Sequence, residues 1–229
     1  MPTADQVYAN MRASIENYDS DAAIAAAQEA VAAGLDPTTA VEKGFAGPIR
    51  EVGEAFHRMD IFLPQLVMAA DAMKVGVAVL EAAIKARGGK LEKKGVVVMG
   101  TVEGDIHDIG KTVVAAMLQA NGYEVHDLGV EVPAPRFIQA AEEAHAQIIG
   151  MSALLSTTML FQRDVLELMR NKGLDKKYFT IVGGAPVTQA WADQIGASAY
   201  ARDATEAVRL LEERRKEWAK PRRGGTEDL

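Results

Sequence analysis

The sequence contains no cysteine among its 229 residues. Disulfides and thiolate metal sites are therefore excluded, and any metal ligand from this chain must be a nitrogen or oxygen donor. Histidine is also scarce, because only His57, His107, His126 and His145 are present. A zinc site with several histidines is hard to assemble from so few. This inventory suits a metal site with a single protein ligand.

The sequence also lacks any uninterrupted apolar stretch long enough to span a bilayer and any charged-apolar-small leader, so we expect a soluble, cytoplasmic protein. The net charge of -7 and the absence of a basic stripe with interleaved aromatics argue against nucleic acid as a partner. We expect no membrane partner either. With 48% hydrophobic residues, the chain can form one medium or two small globular domains.

Residues 1–88 carry apolar side chains at helical spacing only, which predicts a domain of four helices packed as a bundle. The first helix presents Val7, Met11 and Ile15, and the second covers about 21–33. The third begins at Asp36-Pro37, an N-cap followed by proline, and should kink or restart at Gly47-Pro48. The fourth runs from Leu63 to about Ile84.

After a glycine-rich break at 87–90, short apolar runs alternate with helical patterns, which predicts an α/β domain over residues 89–218. Five such units indicate a five-stranded parallel sheet of flavodoxin-like, Rossmann-like kind. We expect residues 219–229 to be a disordered tail. The predicted strands are about 95–100, 123–128, 147–151, 178–182 and 198–200, and the predicted helices are about 110–121, 134–145, 158–171, 187–194 and 203–217.

The run from Gly104 to Lys111 places one histidine between acidic residues in the turn that follows the first strand. His107 therefore lies at the carboxyl end of a parallel strand, where open α/β sheets bind their ligands. Asp105 can accept the proton of one imidazole nitrogen, which leaves the other nitrogen free for a metal. The loop is interpreted as a metal-ligand loop.

Two alternatives exist for this loop. Gly110-Lys111-Thr112 matches the end of a P-loop, but five residues rather than four separate Gly104 from Gly110. Asp105 and Asp108 would also bring negative charge to a phosphate site. The other alternative is a histidine that simply bonds a loop carbonyl, which is the commoner outcome for an isolated histidine and stays open on the loop alone.

Three short motifs occur in order at strand ends. Asp105-x-His107-x-x-Gly110 resembles the D-x-H-x-x-G signature of cobalamin-binding proteins, Ser152-Ala-Leu154 resembles S-x-L, and Gly183-Gly184 matches the paired glycines. The resemblance covers nearly the whole chain. The sequence is also similar to the cobalamin-binding region of methionine synthase. The resemblance is strongest to the small corrinoid proteins of methyltransferase systems, through Gly100-Thr-Val-Glu-Gly-Asp-Ile-His107, Ser152-Ala-Leu-Leu-Ser-Thr-Thr-Met159 and Val182-Gly-Gly-Ala-Pro-Val-Thr188.

The resemblance implies that the cofactor is cobalamin or a related corrinoid and that His107 coordinates its cobalt. Asp105 would orient His107, and Thr158 would continue the relay where methionine synthase has serine. In the family, the displaced nucleotide tail of the cofactor is buried in the α/β domain. The resemblance assigns further cofactor-binding residues to the loop and to the tail site: Gly104, Ile106, Asp108, Ile109, Gly110, Ser152, Leu154, Ser156, Gly183 and Gly184.

In the helical half, Val52-Gly-Glu-Ala-Phe56 and Ile61-Phe-Leu-Pro-Gln65 resemble the family's helical cap, which implies that Phe56, Leu63 and Leu66 cover the upper face of the corrin. The implied function is a methyl carrier without catalytic activity of its own. Its partners would be a donor-specific methyltransferase, an acceptor methyltransferase for a thiol or tetrahydrofolate, and a reductive activator. Methylamine and betaine systems match best, and methanol and methoxyaromatic donors stay open. A cobalamin-dependent sensor and an isomerase fragment are the alternatives.

Overall fold

The computed structural model describes residues 2–86, 88 and 93–216. The predicted tail 219–229 lies outside these residues. The chain divides into two compact units, Met1–Lys93 with Ala116–Gly122 and Lys94–Ala115 with Tyr123–Leu229. Within the described residues, no helix has both the length and the apolar character needed to cross a membrane.

The first unit is helical, and polar side chains start its first helices. The Thr3 hydroxyl accepts the Gln6 amide while the Gln6 side chain accepts the Thr3 amide, which makes a capping box, and Asp19 caps the next helix. The helices are α1 (Ala4–Glu16), α2 (Ser20–Ala32), α3 (Pro37–Ala40), α4 (Gly47–His57) and α5 (Leu63–Ala86). Helix α1 contacts α2, α4 and α5, and α2 also packs on α5.

The third predicted helix is interrupted. Asp36 caps α3 and Pro37 follows it, as predicted, but residues Val41–Ala46 then form a π-helical segment. Pro48 has no N–H to donate to the preceding turn, and the π-helical segment ends where α4 begins at Gly47. The sequence predicts a kink or a restart at Gly47-Pro48, and the structure shows a change from π-helical to α-helical backbone there. The π-helical turn itself was not predicted.

The second unit contains a five-stranded parallel sheet in the order β2-β1-β3-β4-β5, which is the flavodoxin-like order. The central strands are buried on both faces, as expected for a sheet covered by helices. The fold class predicted for this half is confirmed. The strands are β1 (Val96–Thr101), β2 (Glu124–Asp127), β3 (Ile148–Ser152), β4 (Phe179–Gly183) and β5 (Ala199–Tyr200).

The helices that follow the strands lie close to their predicted ranges, with one informative difference. The helix predicted over 158–171 begins at Leu160, because Thr158 uses its side chain in a turn. The Thr158 amide donates to Leu155 O, and the Leu155 amide donates back to the Thr158 hydroxyl. The helices are α6 (Ile109–Ala120), α7 (Ala134–Glu143), α8 (Leu160–Asn171), α9 (Gln189–Ile195) and α10 (Ala204–Arg214).

The strand order reverses between β1 and β3. In sheets of this order, the loops that leave the carboxyl ends of these two strands lead to opposite faces, and ligands bind at this point. The register aligns Thr101 with Ser152 and Ser152 with Gly183, in a row across β1, β3 and β4. The three predicted motifs therefore all lie at one edge of the sheet.

Candidate functional site

The loop after β1 is tightly shaped. Gly104 has φ +76, in the left-handed region where glycine is favoured. The Asp105 amide donates to Val102 O at 3.2 Å, and the Asp105 carbonyl accepts the Glu131 amide at 3.0 Å. These contacts fix the backbone on both sides of Asp105, so its side chain enters the protein at a defined point.

The Asp105 carboxylate is fully buried and accepts four hydrogen bonds. Oδ1 accepts the His107 amide at 3.0 Å and lies 2.7 Å from His107 Nδ1. Oδ2 accepts the Leu154 amide at 2.7 Å and the Thr158 hydroxyl at 2.6 Å. The buried carboxylate thus joins the loop after β1 to the segment after β3, as the predicted relay from His107 through Asp105 to Thr158 requires.

These bonds keep Asp105 ionised. Burial raises the pKa of the carboxyl, but the donated hydrogen bonds, led by that of Thr158, hold the pKa well below its ordinary value. An ionised carboxylate only accepts, so the contact with His107 places the imidazole proton on Nδ1. The lone pair of Nε2 is then available to a metal.

The imidazole of His107 is only partly covered, with 45% of the side chain exposed. Its Nε2 takes no hydrogen bond from any residue that the structure describes. The alternative of a histidine satisfied by a loop carbonyl therefore does not hold for this nitrogen. In the described part of the chain, no three or more His, Asp or Glu side chains converge on a common metal position.

Exposed apolar side chains lie next to His107 in the sequence and in the segment that follows β3. Such exposure of large apolar groups is typical of a surface that binds another molecule. Ile106, Ile109 and Leu154 belong to the predicted set, whereas Leu155 and Leu160 were missed because the sequence alone does not distinguish exposed from buried leucines. The exposed large apolar residues are Ile106 in the loop after β1, Ile109 at the start of α6, Leu154 and Leu155 after β3, and Leu160 at the start of α8.

Gly183 ends β4 and Gly184 follows it, and the structure explains Gly184 by the packing of the chain itself. Gly184 has φ +122, and a Cβ there would lie 1.7 Å from the Ala153 carbonyl oxygen. A Cβ on Gly183 would meet the Ala201 carbonyl at 3.0 Å. The two residues let backbones approach closely, and their contact with a ligand stays a prediction.

A buried glutamine supports the same strand ends and was not predicted. Gln162 of α8 donates to Met151 O at 3.2 Å and to Gly183 O at 3.1 Å. Its side-chain oxygen Oε1 accepts the indole N–H of Trp191 at 3.0 Å. Gln162 therefore joins β3, β4 and α9. An isolated glutamine within a helix carries no sequence signal for such a role.

The remaining predicted residues are placed as follows. Asp108 is exposed, and its carbonyl accepts the Thr112 amide at 2.8 Å at the start of α6, which begins at Ile109, as predicted. Ser152 is half-buried and Ser156 is exposed. In the helical unit, Phe56 and Leu63 are partly exposed and Leu66 is fully buried.

Lys111 differs from the lysine of a P-loop. Its ammonium is buried and pairs with Asp127 at the end of β2. A lysine held by a carboxylate is not free to bind the phosphates of a nucleotide. The structure therefore gives no support to nucleotide binding at this loop.

Two domain families match the chain, both described as B12 binding domain, over residues 7–81 and 95–211. The dimethylamine corrinoid protein 2 of Methanosarcina mazei is 47% identical over 213 residues, which cover 93% of this chain and 99% of that protein. The trimethylamine corrinoid protein 1 of Methanosarcina acetivorans is 43% identical over 208 residues, 91% of this chain and 96% of that protein. Among solved structures, a methanol:cobalamin methyltransferase complex of Methanosarcina barkeri matches with a TM-score of 0.82 and 30% identity, over 93% of this chain and 81% of that one. With both halves matched and close relatives aligned along nearly all of its length, the chain belongs to the family of B12-binding corrinoid proteins.

Proposed function

We propose that this chain binds a corrinoid through Nε2 of His107 and carries methyl groups between two methyltransferases. A bound corrinoid supplies a cobalt that accepts a methyl group and releases it to a nucleophile. The observation that carries the proposal is the imidazole itself, because Asp105 fixes its tautomer and leaves Nε2 unbonded and exposed. Membership of the corrinoid protein family supports the same cofactor.

Asp105 and Thr158 act through His107 in this proposal. A carboxylate that accepts the Nδ1 proton fixes the orientation of the ring and raises the basicity of Nε2. The Thr158 hydroxyl holds the other carboxylate oxygen at 2.6 Å and so keeps the carboxylate in place. Thr158 supplies the hydroxyl that serine supplies in methionine synthase.

The loops around His107 would hold the rest of the cofactor. The exposed side chains of Ile106, Ile109 and Leu154 would form an apolar surface for the macrocycle. We assign the nucleotide tail to the strand ends, where hydroxyl groups and close backbone approach occur together. The residues for the tail are Ser152, Ser156, Gly183 and Gly184, and Gly104, Asp108 and Gly110 shape the loop.

The helical unit supplies candidates that shield the metal. Phe56 and Leu63 retain exposed surface, so they are the better candidates for covering a ligand. Leu66 is fully buried, so it would support Leu63 from within the helical core. An apolar cover keeps water and oxidants from reduced cobalt, which is a strong nucleophile. We keep 1–88 and 89–218 as the proposed bounds of the two domains.

The proposed partners follow from carriage between enzymes. A methyltransferase specific for a methylated amine would be the donor, since relatives at 43% and 47% identity are named for trimethylamine and dimethylamine. A second methyltransferase would pass the methyl group to a thiol or to tetrahydrofolate. A reductive activator would restore carriers whose cobalt has been oxidised. The chain itself would catalyse no reaction.

The test is reconstitution with hydroxocobalamin followed by electron paramagnetic resonance of the Co(II) form. We expect superhyperfine splitting from one nitrogen, a triplet that becomes a doublet when the protein's histidines carry ¹⁵N. His107→Ala should abolish the protein-derived splitting. His126→Ala is the matched control, because His126 is similarly exposed but pairs with Glu124. A ¹⁵N doublet that survives in His107→Ala would exclude the assigned ligand.

A further inference from the structure

Thr101, the last residue of β1, makes a hydrogen bond that the proposed relay does not use. Its side chain is fully buried, and its hydroxyl donates to the main-chain carbonyl of His107 at 2.8 Å. The backbone of Thr101 is held by its pairing with Ser152 of β3 and by the segment after β2, because its amide donates to Gly129 O and its carbonyl accepts the Val132 amide. The hydroxyl therefore ties His107 to a rigid strand.

The hydroxyl is not required for packing. Valine has the same shape as threonine and is at least as favourable in a buried strand. A buried hydroxyl costs free energy unless it is hydrogen-bonded. The hydrogen bond with the His107 carbonyl offsets this cost. The hydroxyl therefore restrains the backbone of His107 and is not needed to fill the core.

The contact completes the restraint of His107. Asp105 holds the amide and Nδ1 of His107, and Thr101 holds its carbonyl. Asp105 belongs to the same loop as His107, whereas Thr101 belongs to the sheet. Nε2 is then the one polar atom of His107 that no described residue holds.

We propose that Thr101 is a positioning residue that sets where Nε2 of His107 lies and thereby how strongly the imidazole binds its metal. The role in metal binding rests on the proposed function, whereas the restraint of His107 concerns the chain alone. Loss of one buried hydrogen bond should weaken the ligand about two- to tenfold.

The test compares Thr101→Val, which removes the hydroxyl, with Thr101→Ser, which keeps it. Thr180→Val is the matched control, because Thr180 is also buried in the sheet but its hydroxyl bonds to Ser198. If Thr101→Val does not fold, Thr101→Ala replaces it, since it also lacks the hydroxyl. Two measurements are made, one without corrinoid and one with it.

Without corrinoid, amide hydrogen exchange at His107 and ¹⁵N spectra of its ring report the restraint. We expect exchange at least about tenfold faster and a mixed tautomer in Thr101→Val, with Thr101→Ser and Thr180→Val unchanged. An unchanged His107 in Thr101→Val would overturn the proposal whether or not the chain binds a corrinoid.

With cobalamin bound, cyanide titration followed by absorbance measures how readily the imidazole is displaced from Co(III). The half-displacing concentration should fall about two- to tenfold in Thr101→Val and should recover in Thr101→Ser. Equal concentrations in the parent and Thr101→Val would overturn the role in metal binding. If the parent has no histidine-ligated cobalamin, the proposed function and this role both fail.

Discussion

The hydroxyl of Thr158 lies 2.6 Å from Oδ2 of Asp105, and both side chains are buried. Among the hydrogen bonds that Asp105 accepts, this one lowers the pKa of its carboxyl the most. A carboxyl with a lowered pKa in the folded state stabilises the fold at neutral pH, and this stabilisation is lost as the unfolded chain takes up protons.

The first prediction is that Thr158→Val lowers the free energy of unfolding by about 1–3 kcal/mol at pH 7, because a hydrogen bond to a charged group is lost. The folded-state pKa of Asp105 should rise toward its ordinary value of about 3.9. Below about pH 4 the parent then loses more stability than the variant, and the difference between them shrinks. Urea unfolding from about pH 2 to pH 7 measures this, with Thr158→Ser as the control that keeps the hydroxyl. A difference that stays constant with pH would show that the two groups are not coupled.

This relay was predicted from the resemblance to cobalamin-binding proteins, whose three motifs lie at the ends of predicted strands in this sequence. Parallel strands bring such residues to one edge, and Ser152 is indeed in register with both Thr101 and Gly183. The order of strands and helices along the chain was predictable because the periodicities of strands and helices are local properties of the sequence.

Other contacts could not be predicted, because they depend on packing between distant segments. The Leu154 amide that donates to Asp105 is a backbone group, which carries no side-chain signal. Gln162 meets Trp191 and the ends of two strands only when the sheet has formed. The π-helical segment Val41–Ala46 lacked a local signal as well, since Pro48 predicts an irregularity but not its kind.

A second prediction concerns Gln162. Gln162→Leu leaves the Trp191 indole N–H without its partner and removes one hydrogen bond from each of two strand-end carbonyls, so the free energy of unfolding should fall by at least about 3 kcal/mol. Gln139→Leu is the control, because Gln139 makes an exposed hydrogen bond to Glu143, and it should change stability by less than about 0.5 kcal/mol. Chemical denaturation of both variants decides the matter. A loss of less than about 1 kcal/mol in Gln162→Leu would mean that water replaces its hydrogen bonds.

The third prediction distinguishes a residue of the helical core from a residue that is proposed to cover the cofactor. Leu66→Ala should lower the free energy of unfolding by about 2–5 kcal/mol, because Leu66 is fully buried. Phe56→Ala should cost less, since Phe56 keeps exposed surface, but it should speed photolysis of methylcobalamin bound to the chain. Thermal unfolding and photolysis rates are measured on both variants. If Phe56→Ala costs as much stability as Leu66→Ala and leaves photolysis unchanged, Phe56 belongs to the core alone.

The fourth prediction tests why Gly184 must be glycine. In Gly184→Ala the new Cβ would lie 1.7 Å from the Ala153 carbonyl oxygen, at φ +122, so backbone must move. The free energy of unfolding should fall by more than about 3 kcal/mol. The shift should also reach His107, because the neighbouring Leu154 amide donates to Asp105. Gly173→Ala is the matched control, since Gly173 has φ +67 with no atom within 4 Å of a new Cβ, and its cost of about 1–2 kcal/mol reflects backbone strain alone. Equal losses in the two variants, with an unchanged ¹⁵N spectrum of the His107 ring, would show that strain at Gly184, and not contact with Ala153, explains the residue.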